Sequence, residues 1–164
     1  MKVTRNATYA LSPEHVMAVL ADEDFQNEKC RATYAVSWDS TIETGRNRTV
    51  IQTRRVMPTT HLPEVAKGFV GESFSLHETQ TWTGPNEQGV YTADFRVHVQ
   101  GAPIAVTGSR RLEPKGTGAH DHVTLLIRAS VPIIGRKIEE SAAPAVAAGV
   151  EIELKLLAER VEDS

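Results

Sequence analysis

The stretch "IRASVPIIGRKIEE", residues 127–140, decides the fold because a strand pattern changes here into a helix pattern. Ahead of it, residues 123–131 alternate mostly between apolar and polar, as on a strand with one buried face, although Leu126 interrupts the alternation. Beyond it, apolar and small residues recur at helical spacing. The pattern predicts a strand that runs through a short joint into a long C-terminal helix over about residues 133–161.

The remaining chain predicts the other elements. Residues 3–9 alternate like a strand, and "SPEHVMAVLAD" follows with Ser12 as N-cap and Pro13 in the first helical position. Asp22 can cap a second short helix. Six segments of period two then come in succession, separated by turn residues, and their short connections predict an antiparallel meander. These segments are "ATYAVSWD", "RTVIQTRRV", "SFSLHETQTW", "VYTADFRVHV", "IAVTGSRRL" and "HVTLLIRASV". Residues 58–71 are longer than a turn and predict a short helix or lid.

Composition restricts the class of protein. The 164 residues are 40% hydrophobic and 24% charged, so we expect residues 1–164 to form a single globular domain. A net charge of -3 gives no reason to expect nucleic-acid binding. The lone Cys30 cannot form an intramolecular disulfide, and no apolar run approaches the roughly 20 residues of a membrane span. The start of the sequence lacks a signal-peptide pattern, and we therefore expect a cytoplasmic protein.

The element order resembles the helix-grip fold of the START-like superfamily, also called SRPBCC, which includes pollen-allergen-like proteins and aromatase/cyclases. The opening "VTRNATYALSPEHVMAVLAD" and the joint "IRASVPIIGRKIEE" are similar to an actinobacterial family of unknown function within it. The resemblance implies an α+β fold in which a curved seven-stranded antiparallel sheet, in β-α-α-β6-α order, grips the C-terminal helix around a hydrophobic cavity. It implies no particular reaction, because members bind, transport, cyclise or dock.

The long helix has small residues in its middle, between Ile138 and Ile152. Gly149 costs about 1 kcal/mol relative to Ala in a helix, and Pro144 up to about 3 kcal/mol. Either the small face lets the sheet approach closely, or it forms one wall of a pocket. We favour the pocket, because a coiled sheet cannot touch a long rod everywhere. An empty cavity of about 300 Å³ would cost roughly 7 kcal/mol. We therefore expect an apolar ligand or solvent to occupy the space, or the segment around residues 61–69 to close part of it.

The candidate ligand-binding residues share either inward parity on a strand or a place on the small helix face. They are Phe74, Leu76, Glu78, Phe95, Val97, Arg110, Leu125, Ile127, Ser141, Ala145, Ala148 and Gly149. Glu78 and Arg110 inside one cavity would pair and could bind a polar head group. The alternative is that both lie near strand ends where the sheet opens to water.

The remaining polar residues give weaker indications of a functional site. His120 and His122 have a spacing that could chelate a metal, but they follow "KGTGA", so we expect a turn with solvated imidazoles. A solvated strand face explains the local density of Arg46, Arg48, Arg54 and Arg55. The sequence therefore predicts no catalytic residue, metal or cofactor.

Three hypotheses about function follow. The first is a binding protein for a hydrophobic or amphipathic small molecule, such as a lipid, isoprenoid or polyketide. The second is a cyclase or hydrolase that acts on such a ligand, for which a buried Glu78 with a shifted pKa would argue. The third is a protein-docking module without a ligand, for which a cluster of outward apolar residues around Leu126 would argue. The oligomeric state stays open.

Overall fold

The structure is a computed structural model that describes residues 1–60, 62 and 64–163, so His61 of the predicted lid segment lies outside the described residues. Within the described ranges, seven strands and four helices follow the predicted order. They are β1 (Lys2–Tyr9), α1 (Pro13–Leu20), α2 (Glu23–Ala32), β2 (Ser37–Gly45), β3 (Arg48–Pro58), α3 (Glu64–Lys67), β4 (Ser73–Thr83), β5 (Tyr91–Val99), β6 (Ile104–Lys115), β7 (Gly118–Ala129) and α4 (Gly135–Glu162).

The two short helices begin where the sequence predicts. The Ser12 hydroxyl accepts a hydrogen bond from the backbone N–H of His15, and the Asp22 carboxylate accepts one from Asp24. The next boundary was predicted wrongly, because residues 32–36 belong to no strand. Instead α2 continues to Ala32. Tyr34, which has a φ of 70°, then changes the direction of the chain ahead of β2.

The sheet has the order β1-β7-β6-β5-β4-β3-β2, and every neighbouring pair is antiparallel. The first strand therefore lies beside the last, and the sheet curves around α4 as the helix-grip fold requires. Gly108 of β6 faces the neighbouring strand so closely that a Cβ there would collide with the backbone of Thr124. Only glycine fits this position without a shift of the sheet.

Two apolar clusters fill the covered face of the sheet. The first lies under α1, α2 and the C-terminal part of α4, around the fully buried Phe25, Trp82 and Leu157. The second joins β5, β6 and β7 to the middle of α4, around Leu125 and Leu154. The space beside the second cluster is the candidate site.

Candidate functional site

A cavity of about 350 Å³ lies between the sheet, α4 and the segment that contains α3. Its wall is almost entirely apolar and includes Met57, Leu76, Phe95 and Val97 from three strands. At Gly149 of α4, a Cβ would have no atom within 4 Å. The helix backbone and the sheet are therefore not in close contact at this point.

The small residues of α4 serve two purposes on two sides of the helix. Ala143 and Ala147 pack against the second apolar cluster, where a close approach of helix and sheet is indeed what they permit. Ala145 and Ala148 line the cavity and remain exposed. The small side chains of α4 thus allow close packing against the sheet on one side and leave space for the cavity on the other.

Exposed residues from separate elements mark the opening of the cavity. Tyr34, which follows α2, is 64% exposed, and Phe69, which follows α3, is 37% exposed, yet both line the cavity together with Ala145 and Ala148. The predicted short helix between β3 and β4 is confirmed as α3. Its neighbourhood supplies one side of the opening.

The inner end of the cavity is polar. Six ionisable side chains from six elements, each at most 7% exposed, form a cluster that we call the charged layer, and five of them line this end of the cavity. Lys29 comes from α2, Arg55 from β3, Glu78 from β4 and Arg110 from β6, and their partners come from β7 and α4. The charged layer consists of Lys29, Arg55, Glu78, Arg110, Asp121 and Glu153.

The charged layer lies between the first apolar cluster and the cavity. Along α4, Leu157 packs in the first cluster, Glu153 lies one turn earlier in the charged layer, and Gly149 one turn before that lines the cavity. Along β4, every second side chain faces inward. Trp82 packs in the first cluster, Gln80 and Glu78 lie at the level of the charged layer, and the next inward residues line the cavity. The periodicity of each element therefore places core, charge and cavity at successive levels.

Glu153 connects the two halves of the charged layer. Its Oε2 accepts a hydrogen bond from the Lys29 ammonium at 3.1 Å, while its Oε1 accepts one from the Arg110 guanidinium. The Lys29 ammonium also donates to Glu78 Oε1 at 2.7 Å. Gln80 donates to the carboxylates of Glu78 and Glu153 at 2.9 and 3.4 Å. Removal of Glu153 would leave two buried cations under-compensated.

Arg110 is held from two further directions. Its Nε and Nη2 donate to the two oxygens of Asp121 at 3.0 and 2.7 Å, a bidentate arrangement. Its guanidinium carbon lies 5.3 Å from the ring centroid of Trp82. The Tyr9 hydroxyl donates to the same Asp121 at 2.7 Å. This side of the charged layer is therefore closed by protein partners.

Arg55 is less completely bonded. Its Nη1 donates to the Thr33 hydroxyl and its Nη2 to Glu78 Oε2, both at 2.8 Å. Its Nε, although buried, has no hydrogen-bond partner among the described residues. Because Arg55 also lines the cavity, this side of the charged layer faces the space where a ligand would lie.

The neighbouring opposite charges favour the ionised forms of Glu78, Glu153 and Lys29. Burial alone would raise the pKa of Glu153, but Lys29 and Arg110 outweigh it and lower that pKa to about 2. At Glu78, burial alone would likewise raise the pKa, but Lys29 and Arg55 hold it below its usual value. For Lys29, burial lowers the pKa, yet Glu153 and Glu78 more than compensate, so the net direction is upward.

The cavity wall contains most of the residues that the sequence indicated. Those that line it are Phe74, Leu76, Glu78, Phe95, Val97, Arg110, Leu125, Ala145, Ala148 and Gly149. Of the remaining two, Ile127 is fully buried in the second apolar cluster, and Ser141 lies half-buried on α4, beside the lining residue Ala142. Neither is part of the lining among the described residues.

The expected pairing of Glu78 with Arg110 was wrong. Both are buried in the middle of the sheet, so the alternative of solvated strand ends is also wrong. Glu78 pairs with Lys29 and Arg55, and Arg110 pairs with Asp121 and Glu153. The two predicted residues belong to one layer without forming a pair.

Sequence reasoning missed several members of the charged layer. Arg55, assigned to a solvated face, is buried because it shares the inward parity of Ile51. Lys29 follows the fully buried Phe25 by one helical turn, and Glu153 precedes Leu157 by one turn. A search for charged residues at buried parity would have found them, although not their partners.

The histidine pair lies in a strand and not in the predicted turn. His120 and His122 belong to β7, where the long β6–β7 ladder extends the strand back to Gly118. Nδ1 of His122 lies 2.6 Å from the Asn6 side chain, and His120 lies 3.5 Å from Glu113. Within the described part of the chain, no group of three or more His, Cys, Asp or Glu side chains could hold a metal ion.

The architecture is the helix-grip fold seen in START-like proteins, and comparison with solved structures agrees with this fold. The crystal structure of TTHA0849 from Thermus thermophilus matches with a TM-score of 0.65 and 20% identity, over 99% of this chain and 98% of that one. The Zhui aromatase/cyclase from Streptomyces sp. R1128 matches with a TM-score of 0.62 and 14% identity, over 99% and 93%. A STAR-related lipid transfer protein fragment from Xanthomonas axonopodis matches with a TM-score of 0.65 and 12% identity, over 98% and 85%. At these identities the similarity establishes the fold alone.

The chain belongs to the family described as "Protein of unknown function (DUF2505)", whose model matches residues 4–161. No curated protein matches the sequence. Among the described residues, none of the helices combines the length and the apolar character needed to cross a bilayer.

Proposed function

We propose that this protein binds a hydrophobic or amphipathic small molecule, such as a lipid, isoprenoid or polyketide, in the cavity between its sheet and α4. The observation that carries the proposal is a space of about 350 Å³ with an apolar wall and a charged inner end. The solved relatives include one named a lipid transfer protein and one named an aromatase/cyclase, which supports a ligand of this general kind.

The size of the cavity supports occupancy. If it were dry and empty, a cavity of 350 Å³ would cost roughly 8 kcal/mol at about 24 cal/mol per Å³. A domain of ordinary stability has only about 5 to 15 kcal/mol in total. A ligand that fills the apolar part would recover much of that free energy.

The charged layer favours binding over acid–base catalysis. Glu78 and Glu153 have lowered pKa values, and both are bonded to buried cations. A general acid or base needs a pKa near the working pH. These carboxylates are therefore suited to holding structure and orienting a ligand, and poorly suited to exchanging protons with it.

A double substitution tests the proposal. Ala145→Leu with Ala148→Leu would place two larger side chains at the exposed rim of the cavity. We expect uptake of an uncharged fluorescent apolar dye to fall at least about tenfold, because the added side chains occupy the opening. Dye titration measures the uptake, and circular dichroism checks that the fold is kept.

The matched control places similar bulk at two exposed positions of the same helix that do not line the cavity. Glu140→Leu with Lys155→Leu changes two exposed positions of α4 and leaves the net charge unchanged. We expect this variant to take up the dye like the original protein. Unaltered uptake by the Ala145→Leu/Ala148→Leu variant would show that the dye binds elsewhere and would refute the proposal.

A further inference from the structure

We infer that the ligand has an uncharged hydrogen-bond acceptor at its inner end, a carbonyl, hydroxyl or ether oxygen, which binds the Nε–H of Arg55. This inference rests on the proposed function and specifies the chemistry of its ligand. It starts from one buried donor that the protein leaves without a partner among the described residues, since nearly all such groups in folded proteins are bonded.

Arg55 is fixed in place by its other nitrogens. The bonds to Thr33 and Glu78 hold both ends of the guanidinium, and its side chain is only 8% exposed. Because the guanidinium is planar, those two bonds also fix the direction of the Nε–H. Arg55 lines the cavity, so this buried and oriented donor belongs to a residue that a ligand in the cavity would contact.

Every oxygen of the Glu78 and Glu153 carboxylates already accepts a hydrogen bond from the protein. Glu78 Oε1 accepts from Lys29 and Gln80, and Oε2 accepts from Arg55. Glu153 Oε2 accepts from Lys29 and Gln80, and Oε1 from Arg110. Each oxygen facing this end of the cavity thus has a donor. The layer offers a ligand a donor in preference to an acceptor.

The balance of charges within the charged layer disfavours a charged ligand. Three cations, Lys29, Arg55 and Arg110, are matched by three carboxylates in the charged layer. An anionic head group would add an uncompensated buried charge, and a cationic one would face the Arg55 guanidinium without an available carboxylate. A neutral acceptor satisfies Nε–H and leaves the balance intact.

The apolar wall begins directly beside this donor. Met57 follows Arg55 at the next inward position of β3, and Leu76 lies opposite Arg55 in the β3–β4 register. A ligand with an oxygen at one end and a hydrocarbon body would therefore place the oxygen at Arg55 and the body along these residues. The geometry favours one orientation of an amphipathic molecule.

The experiment compares three probes of equal carbon number: a long-chain methyl ketone, the n-alkane, and the fatty acid in its ionised form at mildly alkaline pH. Displacement of the uncharged dye N-phenyl-naphthylamine gives their affinities for the original protein and for two variants. Arg55→Lys keeps the charge beside Glu78 but lacks the Nε–H, and Arg55→Met removes both. Arg54→Met, at the neighbouring exposed position, is the control.

We expect the ratio of ketone to alkane affinity to fall about tenfold in both Arg55 variants and to stay unchanged in Arg54→Met, as for one lost hydrogen bond. We expect the ionised acid to bind the original protein at least about tenfold more weakly than the ketone. An unchanged ratio in the folded Arg55→Lys variant, or a preference for the anion, would overturn the inference and leave the proposed function standing. Failure of the dye and of all three probes to bind would instead overturn the proposed function itself.

Discussion

At the scale of single residues, Glu153 holds the charged layer together. It is the carboxylate that bonds to both Lys29 and Arg110, and it is only 5% exposed. We predict that Glu153→Gln lowers the free energy of unfolding by about 3 kcal/mol, because two buried cations lose part of their compensation. Urea unfolding followed by circular dichroism measures this loss.

The control lies two residues away on the same helix. Glu151 forms an exposed ion pair with Arg5, in which the two side chains are 56% and 38% exposed. Surface pairs of this kind contribute about 0 to 1 kcal/mol, so Glu151→Gln should change stability by less than about 1 kcal/mol. Equal effects of the two substitutions would contradict the role assigned to the charged layer.

The same residue gives the protein a defined response to acid. Burial raises the pKa of Glu153, but Lys29 and Arg110 outweigh it and lower that pKa from 4.5 to about 2. The unfolded chain therefore takes up this proton more readily than the folded protein does. The contribution of Glu153 to stability, roughly 3 kcal/mol, is complete above about pH 4.5 and is lost as the pH falls toward about 2.

We predict that urea midpoints measured along this pH series decrease toward low pH and that the decrease is smaller in Glu153→Gln. Glu78, whose pKa is also lowered, adds to the decrease in both proteins. A stability that stays level or rises on acidification would contradict the assignment.

At the scale of elements, the periodicity of the sequence carried most of the fold. The joint before α4, the capped helices and the strands of the meander follow from local patterns, because each needs only its own residues to bury one face. The start of β2 was missed because α2 runs on to Ala32, where the Thr33 hydroxyl donates back to helix carbonyls and accepts a hydrogen bond from Arg55 of β3, a contact that no local strand pattern shows. Local patterns fail where a tertiary contact decides between two elements.

The charged layer was harder to predict for the same reason. Parity placed Glu78 and Arg110 on the inner face correctly, but their partners come from distant parts of the chain. Lys29 and Glu78 are 49 residues apart, and Lys29 and Glu153 are 124 apart. Pairing across such distances depends on the strand order and on how α4 crosses the sheet. Without an arrangement in space, Arg55 resembled an ordinary surface arginine.

The small residues in the middle of α4 lead to a prediction about Gly149. A Cβ at Gly149 would meet no atom within 4 Å, so Gly149→Ala should raise the free energy of unfolding by about 0.5 to 1 kcal/mol through the better helix propensity of Ala. Thermal and urea unfolding of the ligand-free protein measure the change.

Gly108→Ala is the matched comparison, because the same added methyl would collide with the backbone of Thr124. We expect this variant to lose stability. Destabilisation by Gly149→Ala would mean that the helix and the sheet are in contact at the cavity.

At the scale of the whole molecule, the first apolar cluster, the charged layer and the cavity differ in what they contribute to stability and to the proposed binding. The first apolar cluster is closed and packs Phe25, Trp82 and Leu157 with almost no exposure. The charged layer terminates that core, and beyond it the wall of the cavity consists of side chains that remain partly accessible, such as Phe74 and Leu76. Such a protein can tolerate an unfilled cavity because the closed apolar cluster on the other side of the charged layer stabilises the fold.

Ligand occupancy should therefore appear as a change in thermal stability. We predict that stripping the purified protein of apolar molecules by hydrophobic adsorption lowers its Tm, and that adding back a ligand at about 100 times its Kd restores about 2.7 kcal/mol. For a domain of this size, that corresponds to a rise of about 5 to 11 °C. Differential scanning calorimetry measures the rise. The Ala145→Leu/Ala148→Leu variant should show a much smaller rise, since its cavity opening is filled by its own side chains. An equal rise in this variant would place the stabilising ligand outside the cavity, because two leucines at the rim cannot affect a site elsewhere on the surface.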